Sequence, residues 1–149
     1  MHRTEGLATD RHGQTRNEGI ELAVEHSDRL LHRDITEKII GTAFEVRKHL
    51  GCGFLERVYQ RALQAELLQQ GVPAVLEHPI PVHYKGVNVG DYFADLLVAD
   101  LVVVEIKVAP QYNRADEAQL LNELKATGFR VGLLLNYGSS KLEFKRLIL

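Results

Sequence analysis

Three residues in this chain have types and spacing that could do chemistry on a phosphate ester. They are Asp95, Glu105 and Lys107. Glu105 and Lys107 are two apart in the extended run Leu101 to Val108, so their side chains leave one face of a strand. That run opens Leu101-Val102-Val103-Val104, apolar on both faces, which marks a central strand covered on both sides. A carboxylate and an amine there are costly unless they are paired or bound to something. Asp95 lies ten residues before Glu105, on the preceding strand. A three-residue loop near Ala99-Asp100 sets Asp95 opposite Glu105, whereas a two-residue loop turns it to the other face. Two carboxylates on one face can hold a hard divalent cation such as Mg²⁺. A lysine beside them can orient a water or offset negative charge forming on phosphorus. These are the parts of metal-assisted phosphodiester hydrolysis. The plain alternative is a salt bridge at a strand end, Glu105 or Asp95 with Lys107.

A second constellation is Gly53-x-x-Glu56-x-x-Tyr59. Glu56 and Tyr59 share a helix face at a spacing of three. The alternative is structural: Gly53 as N-cap, Glu56 at N3 complementing the helix dipole, and Tyr59 in the core. Gln119 is a third candidate. Its amide could reach a metal-bound water or a phosphate if its helix packs beside the strand of Glu105 and Lys107.

The elements that position these residues are readable from periodicity. Asp34 with Glu37 has capping-box spacing and predicts a helix start, with Ile35, Ile39, Ala43, Val46 and Leu50 as its apolar stripe. Gly51-Cys52-Gly53 ends it. A second helix is expected over about 54–70, with Leu55, Val58, Ala62 and Ala65 on its buried side and Gly71 as its stop. Strands follow over 75–84, 87–98 and 101–108. Pro79 and Pro81 blank one side of the first, which suits an edge strand. A helix is expected over 116–127, with Ala118, Leu121 and Leu124 or Lys125 on one side and Gly128 as its stop. Strands over 130–136 and 142–149 close the chain, the last with Leu142, Phe144 and Ile148 at strand spacing. Antiparallel strands plus one crossover helix predict an α+β fold, a mixed central sheet flanked by helices.

At 149 residues the chain fits one domain with a tail. We read 1–19 as a flexible tail and 20–149 as a single domain, with a weak helix over 20–33. Four of the seven histidines lie in the first 32 residues without metal-ligand spacing and are read as solvated. The lone Cys52 excludes an internal disulfide and suits a reducing cytosol; in its glycine turn it is read as an inert thiol. No apolar run is long enough for a membrane span, and the polar start has no secretory h-region. The net charge of −2 gives no overall pull toward nucleic acid, so phosphate binding would need a local basic patch.

The stretch from Ile35 to the C-terminus resembles the family of small proteins named for a Gly-x-x-Glu-x-x-Tyr motif, which is placed in the PD-(D/E)XK nuclease superfamily. The resemblance rests on Gly41-Thr-Ala-Phe-Glu-Val, Gly53-Phe-Leu-Glu56-Arg-Val-Tyr59, Tyr84-Lys-Gly, Ala94-Asp95-Leu, Glu105-Ile-Lys107, Glu117-Ala-Gln119-Leu-Leu-Asn, Lys125-Ala-Thr-Gly and Gly132-Leu-Leu-Leu-Asn, in that order. It implies a restriction-endonuclease-like αβββαβ core. It also implies that Asp95 and Glu105 bind Mg²⁺ or Mn²⁺, that Glu56 is an additional acid, and that Lys107 stands beside the scissile phosphate. Gln119 resembles the glutamine of the Gln-x-x-x-Tyr motif of RecB-like nucleases, but position 123 is Glu instead of Tyr.

The expectation is therefore a metal-dependent nuclease acting on nucleic acid, DNA ahead of RNA, with no membrane partner and a homodimer left open. The rival is a nuclease fold kept as a binding or assembly module, which the near-neutral charge favours. A glycosidase acid pair is disfavoured by the lysine two residues from Glu105 and by the absence of tryptophan.

Overall fold

The computed structural model describes residues 30–149. The expected tail over 1–19, and the expected helix over 20–33 as far as residue 29, lie outside the described residues. Within them the order is α1 (Arg33–Leu50), α2 (Glu56–Gln69), β1 (Ala74–Tyr84), β2 (Val87–Val98), β3 (Val102–Lys107), α3 (Arg114–Thr127), β4 (Val131–Asn136) and β5 (Glu143–Ile148). This is the helix–helix–three strands–helix–two strands order expected from the sequence.

The five strands form one sheet in chain order, β1-β2-β3-β4-β5. β1–β2, β2–β3 and β4–β5 are antiparallel, and β3–β4 is parallel. A parallel neighbour requires a crossover, and α3 supplies it. β3 is central, as its two-sided apolar run demanded, and β1 with its two prolines is an edge. α3 covers one face, where Leu120 and Leu124 join Ile80, Ala94, Leu97, Val103, Leu134 and Leu147 in one apolar cluster. The alternate residues Val102, Val104, Leu133 and Leu135 are fully buried on the other face, where α2 packs on the sheet and α1 packs on α2. His32–Leu149 forms one compact unit.

Four local expectations are corrected. The first helix does not start with an Asp34 capping box. Its N-cap is His32, in a left-handed conformation without a side-chain cap. Glu37, which a capping box would need, is instead ion-paired with Arg33 at 2.8 Å, and Asp34 falls in the first turn. The buried side of α2 is Tyr59, Gln60, Leu63 and Leu67, not Leu55, Val58, Ala62 and Ala65. The Tyr-Leu-Leu stripe offers more apolar area, so it wins the sheet, and Leu55 is left 80% exposed at the N-cap. On β5 it is Leu147 that enters the core; Phe144 is exposed and packs edge-on against Phe44. On α3 the buried residues are Leu120, Glu123 and Leu124, while Ala118 is exposed.

Candidate active site

The site forms where two strands let go of each other. Val98 pairs with Val102, so the β2–β3 loop is Ala99-Asp100-Leu101, the three-residue loop that sets Asp95 on the side of Glu105. Ala99 and Asp100 both take left-handed φ, 53° and 57°. The ladder then runs only to Leu96↔Val104. Beyond it, the Ile106 N–H donates to Asp95 Oδ2 at 2.7 Å, and the Asp95 N–H faces Glu105 Oε1 at 3.4 Å. Two carboxylates thus occupy the gap between the strands.

The other neighbour of β2 also yields at this point. His78↔Ala94 and Leu76↔Leu96 are paired, but Glu77 and Asp95 between them are not, and Glu77 has φ 52°. Ala94 and Leu97 are three apart and still share the apolar cluster under α3, so strict alternation is broken around Asp95. The Gln60 amide donates to the Asp95 carbonyl at 2.8 Å and holds the irregular segment from the α2 side. Strained backbone gathered on one acidic residue is common at functional sites.

The electrostatics follow from crowding. Glu105 is 5% exposed, and burial, the charge of Asp95 and the charge of Glu123 push its carboxyl up to about 11. Glu56, at the first turn of α2, reaches the Asp95 carboxyl; its own carboxyl is raised by burial first and by Asp95 next. Lys107 is the cation that works against this rise. Its Nζ lies 3.9 Å from Asp116 Oδ1 at the start of α3, both side chains about a quarter exposed.

The Gly53–Tyr59 motif has a divided role. Gly53 takes φ 102°, which a side chain would resist. Tyr59 is fully buried, stacks on Tyr137 with centroids 4.3 Å apart, and donates its hydroxyl to the Gly51 carbonyl at 2.7 Å. That hydroxyl also accepts from the Phe54 N–H at 3.4 Å. Tyr59 therefore fixes the turn that presents Glu56, and Glu56 alone of the pair faces the acids. Gly53 is not the N-cap; Leu55 is.

The structure thus brings Glu56, Asp95, Glu105 and Lys107 together. Gln119 is on the adjoining helix, but its Nε2 donates to Glu123 Oε1 at 3.2 Å, so its link to the acids runs through Glu123. Two neighbours escaped the sequence reading as site residues. Asp116 looks like an ordinary acid in a first helical turn, where it complements the dipole. Glu123 was visible only as a departure from tyrosine; the signal that could have found it is an acid lying beside Leu120 and Leu124 on the buried stripe of α3.

This donor set suits a hard divalent cation. Asp95 and Glu105 offer carboxyl oxygens on one gap, and ionising both there calls for a counter-charge beyond that of Lys107. Among the described residues no group of three or more His, Cys, Asp or Glu side chains is placed to hold an ion. The set present is an open one, of the kind Mg²⁺ completes with water and substrate oxygens. No helix among the described residues is long and apolar enough to cross a membrane.

The fold agrees with the comparisons to known proteins. A family model described as PD-(D/E)XK nuclease superfamily matches residues 33–147. No curated protein is significantly similar in sequence. The crystal structure of SSO0001 is similar over 76% of this chain and 77% of its own, at 14% identity and a TM-score of 0.39, a likeness too distant to carry argument. The match spans all three helices and nearly the whole sheet, so the chain belongs to the PD-(D/E)XK nuclease superfamily.

Proposed function

We propose that this chain hydrolyses phosphodiester bonds in nucleic acid, DNA in the first place, with Mg²⁺ or Mn²⁺ held by Asp95 and Glu105 and supported by Glu56. The observation that carries this reading is the gathering of Glu56, Asp95, Glu105 and Lys107 at the open end of the β2–β3 ladder. Within the superfamily, the Gly53-Glu56-Tyr59 set and the segments around it support membership of the Gly-x-x-Glu-x-x-Tyr family. The single exposed cysteine suits a reducing cytosol.

When bound, the ion supplies Lewis-acid polarisation of a phosphoryl oxygen and eases the loss of a proton from water. The rest of the work belongs to the chain. The Ile106 N–H fixes Asp95 Oδ2, so the carboxylate keeps its aim when substrate arrives. Lys107 donates to a non-bridging phosphate oxygen or to the attacking water and offsets the charge that grows on phosphorus. Asp116 steadies the lysine amine between turnovers. Glu56 keeps its carboxyl protonated to a higher pH than an ordinary glutamate, which suits it to exchange a proton with the water. Water attacks phosphorus in line, and the bond from phosphorus to the sugar oxygen breaks.

A binding or assembly module is the second reading. What favours it is the ion pair of Lys107 with Asp116, which occupies the amine, together with the net charge of −2. The test is cleavage of labelled single- and double-stranded DNA by purified protein with Mn²⁺. The nuclease reading expects cutting that Asp95→Asn and Lys107→Ala abolish. Equal cutting by all three proteins would mark a contaminant, and DNA binding without cutting would favour the module.

A further inference from the structure

The parting of the strands at Asp95 leaves more than the acid gap. β2 pairs with β3 only over Leu96 to Val98, while its pairing with β1 runs on to Val87↔Tyr84. The far half of the β1–β2 hairpin is therefore a two-stranded arm. Between this arm and α3 lies a groove of about 690 Å³. The arm contributes Ile80, Val82 and Tyr92. Ile80 and Tyr92 are directly paired, so their side chains share one face of the arm. α3 contributes Ala115, Ala118, Asn122 and Ala126, three or four apart on one side of the helix.

The chemistry of this lining is specific. Three of those four helix residues are alanines, so the helix wall is low and faces the ring of Tyr92, which is 54% exposed. The polar groups are two amides, Gln119 and Asn122, and one cation, Lys125. Glu123 also lines the groove, and its carboxyl hydrogen-bonds that of Glu105, so the groove shares a wall with the acid gap. An aromatic ring, two amides and one cation around an apolar slot suit a flat, hydrogen-bonding base on a phosphate chain. Stacking on a tyrosine needs a bare base face, and an amide needs a bare base edge; a duplex covers both. A duplex is gripped by its phosphates, which takes several lysines or arginines. The groove offers one, on a chain of net charge −2.

We propose that this groove binds an unpaired strand of nucleic acid, one base stacked on Tyr92, and leads it along α3 to the acid gap. The substrate is then a single strand or a frayed end, and intact duplex is excluded. The inference names the substrate of the hydrolysis proposed above and rests on that reading for where the strand is taken; its test separates the two.

The test is fluorescence anisotropy of the full chain with a labelled oligothymidine strand, and with the same strand annealed to oligodeoxyadenosine, both in EDTA so that no metal-dependent cutting occurs. Wild type is expected to bind the single strand more tightly than the duplex. Tyr92→Ala should weaken single-strand binding about tenfold, as loss of one stacked base does. Tyr92→Phe keeps the ring and should bind like wild type. Ala118→Leu fills the groove from the helix wall, at an exposed position that tolerates the change, and should also weaken binding. Tighter binding of the duplex, or equal affinity in Tyr92→Ala and wild type, would overturn the proposal. Binding of neither form would overturn it too and leave the groove to a peptide. Single-strand binding that needs Tyr92, with no cutting once Mn²⁺ replaces EDTA, would support the groove and sink the hydrolysis. Cutting in Mn²⁺ with Tyr92→Ala bound as tightly as wild type would sink the groove and leave the hydrolysis standing.

Discussion

The backbone N–H of Ile106 donates to the carboxylate of Asp95 at 2.7 Å, so an acid side chain on β2 satisfies a main-chain donor on β3 beyond the point where the two strands cease to pair. The bond does two things. It ends the ladder without leaving a buried donor unsatisfied. It also locks the orientation of an acid that would otherwise be free to turn away from Glu105.

Loss of that acid should therefore cost function far more than fold. Asp95→Asn keeps a carbonyl oxygen for the Ile106 N–H but loses the charge. Lys107→Ala removes the amine that meets the growing negative charge, and about a 10²–10³-fold loss of cleavage rate is expected from it. Steady-state cleavage of a labelled oligonucleotide, with circular dichroism to check folding, measures both.

The parity of the β2–β3 loop is a separate prediction. Ala99-Asp100-Leu101 must keep its odd count. Deleting Asp100 turns Asp95 to the other face, and the Mn²⁺ ion held by Asp95 should be lost from the calorimetric stoichiometry. Asp100→Gly keeps the count and relieves a left-handed residue at φ 57°; it should raise stability by about 1 kcal/mol and leave Mn²⁺ binding intact.

The crowding of Glu105 sets a pH dependence for the metal-free protein. Its carboxyl is held far above the ordinary value of 4.5, by burial first and by Asp95 next. Between that ordinary value and its raised one the folded chain binds the proton that the unfolded chain has released. Stability is therefore fully present at low pH and is lost as pH rises, by at most about 1.4 kcal/mol per pH unit. Thermal melting in chelator should give a lower Tm at pH 8 than at pH 5.5. Glu105→Gln should flatten the trend, and a Tm that rises with pH in the wild type would contradict this account.

Tyr59→Phe tests the division of labour in the Gly53–Tyr59 motif. The ring stays stacked on Tyr137, but the Gly51 carbonyl and the Phe54 N–H lose their partner. A loss of about 1–2 kcal/mol is expected in urea unfolding. Cleavage should fall less than in Glu56→Gln, since the tyrosine acts on the turn and the glutamate acts in the gap.

What the sequence disclosed follows from which interactions are local. β2 was legible to the residue, Val87 to Val98, because Lys85-Gly86 marks its start. β3 was legible as central because Val102-Val103-Val104 leaves no face for water. The loop between them could be read only as a condition: Asp95 meets Glu105 if the count is odd. Nothing in Ala99-Asp100 announces two left-handed residues in a row, because neither is glycine. The buried side of α2 was misread because Leu55 and Val58 are as apolar as Leu63 and Leu67; the choice is made by Tyr59 stacking on Tyr137, 78 residues away. Asp116 and Glu123 lie in the gap only because α3 crosses back over β3, and such packing leaves a faint trace in a single helix.

The most direct measurement is the cleavage of one labelled DNA by wild type and Asp95→Asn, prepared and assayed side by side with Mn²⁺ and again with EDTA. The account predicts products only from wild type, and only with the metal present. Products from both proteins in equal yield, or wild-type cutting unaffected by EDTA, would contradict it.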